Sequence, residues 1–146
     1  MTYEIVPYKN AGPIVFGMNE KELKNILGEP LSVTESYIGT KVFIYDGITI
    51  GFAKETDHVN HIGFGEEIDV KISGVNVFGD PDAFANLLTL DGDPYEDVGI
   101  IVFLNLGITM TGFHTEEEKS IVAFVKGENA DIKQHGKPFK FVNNYE

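Results

Sequence analysis

A chain of 146 residues, 42% hydrophobic and 12% aromatic, is long enough to bury one compact core, and its 23% of charged residues does not indicate disorder. It has no cysteine, which excludes a disulfide framework, thiolate metal ligation and a thiol nucleophile. The net charge of −12 is unevenly spread: all eleven basic residues are lysines, and none lies between Lys71 and Lys119, where Asp80, Asp82, Asp91, Asp93, Glu96, Asp97, Glu116, Glu117 and Glu118 fall.

With no arginine fork and no basic face, nucleic acid is not an expected partner; the field suits a basic protein. The opening stretch MTYEIVPYKNAGPIVFGM has no basic segment followed by an apolar run of signal length, and no run of ~18 apolar residues occurs anywhere. A cytoplasmic location without a membrane contact is the expectation.

The first predicted element is a short helix in FGMNEKELKNILGEP. Asn19 can cap it, Glu22 completes a capping box, Leu23, Ile26 and Leu27 form one apolar stripe, and Gly28 and Pro30 end it. After LSVTESYIG, the alternating run KVFIYDGITIGFA predicts strands near 41 to 45 and 48 to 53, joined at Asp46-Gly47. HVNHIGFG makes a third strand, and IDVKIS an edge or linking strand. From Phe78 the order recurs. Asp80 is the expected cap and Pro81 the first helical residue; Phe84, Leu87 and Leu88 form the stripe. Then follow PYEDV, the hairpin GIIVFLNLGITMTGFH turning at Leu106-Gly107, and the strand SIVAFVKG.

The two runs align. Phe16-Gly17 matches Phe78-Gly79, Gly28-Glu29-Pro30 matches Gly92-Asp93-Pro94, and VFIYDGITIGF matches VFLNLGITMTGF, an internal duplication of about 60 residues. The expected fold is a single α+β domain of two tandem repeats, about 12–66 and 74–127, with a C-terminal extension 128–146. Each repeat would be a short helix followed by a three- to four-stranded antiparallel meander, with the helices on one face of the sheet.

GPIVFGMNEKELKNILGEP, followed by KVFIYDGITIGFA and HVNHIGF, resembles the G-M-x-x-x-E-(V/L)-x-x-(I/L)-(L/F)-G-x-P and aromatic-hairpin pattern of the BamE-like (outer-membrane assembly lipoprotein) superfamily. In tandem it is similar to the duplicated architecture of the beta-lactamase inhibitor proteins. The likeness spans residues 12 to 64; in the second copy Asp80 stands for Met18 and LTLD precedes the second Gly-x-Pro. The pattern is one of capping and turn chemistry and carries no catalytic residue. It implies a role in binding, inhibition or assembly.

His58 and His61 in DHVNH read as strand-entry histidines on opposite faces, not as a metal pair, and His114 and His135 stand alone. DGDPYED spaces carboxylates like a calcium loop, but Glu96 stands where such a loop needs glycine and Val102 where it needs an acid. No metal or cofactor is expected. GFGEEI lacks the third glycine of a dinucleotide fingerprint, and no serine lies in a nucleophile elbow. No catalytic residue is assigned and a non-enzymatic role is expected. Tyr37, Tyr45, Tyr95 and Tyr145 near turns and acids have the composition of a protein-binding surface. The expected partner-binding residues are Asp91, Asp93, Tyr95, Glu96, Asp97, Glu116, Glu117 and Glu118. The leading expectation is an immunity or antitoxin-like inhibitor whose acidic second repeat meets a basic partner such as a toxin; alternatives are a small-ligand or metal-binding module and a homo-oligomeric structural domain.

Overall fold

A computed structural model describes residues 1–36 and 39–139. Its first strands come from the N-terminal stretch: β1 (Thr2–Val6), β2 (Asn10–Ala11) and β3 (Ile14–Val15), followed by α1 (Glu20–Leu27). The strands β4 (Ser32–Glu35), β5 (Lys41–Ile44), β6 (Ile48–Phe52), β7 (Val59–Gly65), β8 (Asp69–Ile72) and β9 (Val75–Asn76) lead to α2 (Ala83–Asp91). Then come β10 (Tyr95–Asp97), β11 (Ile100–Phe103), β12 (Ile108–Thr111), β13 (Ser120–Phe124), α3 (Ile132–His135) and β14 (Lys137–Pro138).

The strands form a five-stranded sheet, β3-β2-β1-β8-β9, and a nine-stranded sheet, β14-β10-β11-β12-β13-β7-β6-β5-β4. Fourteen strands against three short helices among the described residues make the fold β-rich, which corrects the α+β expectation of two helix–meander repeats with helices on one sheet face. The finding that overturns it is the five-stranded sheet. Helix followed by four strands is met twice in the element order, but those eight strands fuse into one sheet through the antiparallel pair β7 and β13, and the smaller sheet shares its core.

That second sheet has a physical cause that a local pattern does not reveal. In β1, Tyr3 and Ile5 alternate with exposed neighbours, and the strand lies parallel to β8, pairing Tyr3 with Val70 and Ile5 with Ile72. Tyr3, Ile5, Val70 and Ile72 join Phe43, Ile50, Ile62, Phe64, Phe103 and Met110 of the larger sheet in one core, with the Tyr3 and Phe64 rings 5.1 Å apart. Leu23 of α1 and Leu87 of α2 fill the same core. Burying each large apolar side chain contributes roughly 1.5–3 kcal/mol.

The first helix forms as its caps dictate. The Asn19 side chain accepts the Glu22 N–H at 2.9 Å, and the Asn19 N–H donates to the Glu22 carboxylate at 3.1 Å. The second helix departs from expectation: Asp82 is its N-cap and makes no side-chain cap bond. Asp80 instead closes the preceding turn, accepting the Asn76 N–H at 2.9 Å. The helix ends on Gly92 at φ 78°, whose N–H reaches the Leu88 carbonyl at 3.0 Å.

Candidate partner-binding surface

The acidic stretch is organised by one buried carboxylate. Asp91, at the C-terminus of α2, is 4% exposed. Its oxygens accept the N–H groups of Asn105 (2.9 Å), Leu106 (3.0 Å) and Asp93 (3.1 Å). The Asn105 side-chain amide returns a bond of 2.7 Å to the Asp91 carbonyl. Burial pushes the Asp91 carboxyl above the usual range, and the three N–H groups oppose that shift. Asp91 thus fastens the helix end to the four-residue turn between β11 and β12, and its burial corrects its place among the expected partner-binding residues.

Of the other expected residues on this stretch, Tyr95, Glu96 and Asp97 form β10 and Asp93 just precedes it, all half-buried. They already hold the chain's own C-terminal segment. Lys133 bonds Asp93 at 2.9 Å and lies 5.8 Å from the centre of the Tyr95 ring, and His135 Nε2 lies 3.3 Å from Asp97. The Lys133 ammonium is held above its ordinary value by that bond and the charge of Asp93. Backbone pairing runs alongside: β14 adds to β10, with Lys137 opposite Glu96 and Pro138 opposite Tyr95, and the Phe139 N–H donates to the Pro94 carbonyl at 2.9 Å.

Glu96 is engaged from the loop after β12. His114 Nε2 lies 3.1 Å from Glu96, and the ring stacks on Phe84 at 5.8 Å and meets Phe139 edge-on at 5.2 Å. Among the described residues, His114 Nδ1 is buried without a hydrogen-bond partner.

Glu116, Glu117 and Glu118 occupy the loop between β12 and β13 and are exposed, with no ion pair recorded for them among the described residues. Glu117 reaches back toward the turn after β10, its Oε1 3.7 Å from where a β-carbon on Gly99 would stand. The loop acids and the strand acids are therefore neighbours. Of the tyrosines, Tyr45 bonds the Gly28 carbonyl at 2.9 Å and Tyr95 faces the C-terminal segment, while Tyr37 and Tyr145 lie outside the described residues.

His58 is exposed in the loop before β7, and His61 lies within that strand. Among the described residues no group of three or more His, Asp or Glu side chains could hold a metal ion. No described helix is long and apolar enough to cross a membrane. The sequence reading missed Lys133 and His135 as ligands of the acidic strand. The signal was present, since these two basic residues follow an acid-only window, but the return of the chain onto β10 crosses some 40 positions and leaves no local pattern.

No curated protein matches the chain. No solved structure matches it either. The family description attached to the match carries no activity and no link to the outer-membrane assembly lipoproteins or the beta-lactamase inhibitor proteins. Residues 8–97, from the segment after β1 to the end of the acidic strand β10, match the family described as "Domain of unknown function (DUF7738)", and the chain belongs to that family.

Proposed function

We propose that this protein is a non-enzymatic binding protein that takes a basic, extended segment of a partner protein along the acidic surface formed by β10 and the β12–β13 loop. The observation that supports this reading is that the surface already accommodates such a segment from its own chain: Lys133 on Asp93, His135 on Asp97, and β14 added to the β10 edge. Strand addition supplies main-chain hydrogen bonds, and alternate side chains supply selectivity. Glu116, Glu117 and Glu118 extend the negative field beyond the part the chain itself covers, and would speed the approach of a cationic partner. The most concrete version is an immunity or antitoxin-like inhibitor of a basic toxin.

The test is affinity capture from the native source, followed by titration of the captured partner. Changing Glu116, Glu117 and Glu118 together to Gln should weaken binding on the order of tenfold at low salt and less at high salt. A partner that is not basic, or that binds the triple variant as tightly as the parent, overturns the reading. Asp91 is left intact in this test because its change would disturb the fold itself.

A further inference from the structure

The outer face of the larger sheet carries a second feature, around β6 and β7. Between β6 and β7 the register shifts: Gly51 lies opposite His61, but Phe52 lies opposite Val59, so Asn60 is an extra residue. Such a bulge re-aims side chains, and here Asn60 and His61 both line one cavity of about 570 Å³. Its lining includes Thr49, Gly51, Gly63 and Val122, from β6, β7 and β13.

The two strand glycines give this lining its shape. Neither has a positive φ, so neither is demanded by the backbone. A β-carbon on Gly63 would stand 2.5 Å from Thr49 Oγ1 and 3.5 Å from Val122, and one on Gly51 would stand 3.1 Å from the His61 β-carbon. Glycine within a strand is unfavourable by roughly 0.5–1 kcal/mol relative to alanine and often marks a close approach to the backbone, here that of Thr49 to Gly63 and of His61 to Gly51, which leaves a shallow groove between these strands.

The polar end of the cavity is equally specific. His61 Nδ1 lies 2.8 Å from Asn60 Oδ1, which can only accept, so the ring donates through Nδ1–H and the neutral ring leaves a lone pair on Nε2. Glu128 Oε2 lies 4.0 Å from that nitrogen. Burial lowers the His61 pKa, which favours the neutral ring, although Glu128 opposes the shift. Two acceptors thus face each other across a gap that a single group with two N–H bonds can fill. Lys41, also on the rim, is bound to Glu20 at 2.8 Å, so one of the nearby cations is already engaged.

We propose that this cavity binds a small flat molecule bearing an amino or ammonium group, its ring lying over Gly51 and Gly63 and its nitrogen donating to His61 Nε2 and Glu128. The lining carries Lys41 and Lys54 with Glu55 and Glu128, so its charge is balanced, and it is the facing pair of acceptors that favours an N–H donor. His61 also lines a smaller cavity with Asp97 and His135, but the loop acids Glu116, Glu117 and Glu118 that test the partner-binding reading are absent from both cavities, so the fates of the two readings are separable.

Tryptamine is a suitable probe and indole-3-acetate its control, with a similar ring and opposite charge. Amide and imidazole NMR titration of the full chain should show saturable shifts at Gly51, Gly63 and His61 with tryptamine and none with indole-3-acetate. Glu128→Gln, at a partly exposed position, should weaken tryptamine binding about tenfold, and His61→Phe by a similar factor, as loss of a hydrogen bond to a charged group does. Gly63→Val should abolish the shifts while the remaining spectrum stays dispersed; should that variant fail to fold, Glu128→Gln decides alone. Absence of saturable shifts, equal binding of indole-3-acetate, or an unchanged affinity in Glu128→Gln overturns the proposal.

Discussion

On the outer face of the nine-stranded sheet, the half formed by β10 to β13 lies beneath the chain's own C-terminal segment, whereas the half formed by β4 to β7 is open. The difference follows from the outward residues. Val102 and Phe124 form an apolar patch that must be covered, and Ile132 of α3 covers it with help from Tyr8, Tyr95 and Leu104. The corresponding outward positions of the open half include Thr49, Gly51 and Gly63, which present no large apolar surface. One sheet therefore offers two kinds of surface: one already engaged by a peptide, the other recessed and unfilled.

Four measurements break or sharpen that comparison. The largest effects belong to what the halves share: Leu23→Ala in α1 and Leu87→Ala in α2, each 0% exposed, should each lower stability by about 2–5 kcal/mol in chemical denaturation, within a single transition. Two separate transitions would show that the halves have independent cores. Next, Asp91→Ala should lower stability by about 1–3 kcal/mol, since it strands the N–H groups of Asn105 and Leu106. In the first half the helix end is tied to the Asp46-Gly47 turn differently, by a single neutral bond from the Tyr45 hydroxyl to the Gly28 carbonyl at 2.9 Å.

Smaller effects separate the helix starts. Asn19→Ala should reduce thermal stability by about 1 kcal/mol through its lost cap, while Asp82→Ala, which loses no cap bond, should stay within about 0.5 kcal/mol. The smallest effect is a pH slope confined to the open half. Folded His61 has its pKa held below the ordinary 6.5 by burial, so as pH falls the unfolded chain takes up the proton first. Stability contributed by the neutral ring is therefore present above about 6.5 and lost progressively as pH falls toward the folded value. In His61→Phe that part of the slope should vanish.

The elements legible in the sequence were those set by neighbours within a few positions. Asn19 and Glu22 cap as their spacing dictates, and Lys41–Ile44 and Ile48–Phe52 pair around Asp46-Gly47. Position 80 looked like a cap because acids favour helix starts, yet the Asp80 carboxylate found the nearer Asn76 N–H. The fold class was missed because β1 answers to β8, and no hairpin signal joins strands that far apart. At the acidic site the residue types were readable, but not their state: Asp91 is buried by helix packing, Asp93 is paired with Lys133, and Asp97 lies against His135, residues whose approach depends on the whole sheet. Asn60 and His61, adjacent in sequence, share a cavity because a bulge breaks the alternation of β7 there, which the sequence does not mark.

The pairing of β1 with β8 also bears on how the chain reaches its native state. Tyr3 and Val70 are 67 positions apart, so this parallel pair closes only after the intervening strands have shortened the effective loop. Hairpins such as β5–β6 and β11–β12 can form locally on a microsecond scale, but docking of the N-terminal strand belongs to the slow, late part of folding. Until then Tyr3 and Ile5 sit on an unpaired, alternating strand, the kind of segment through which partly folded chains associate.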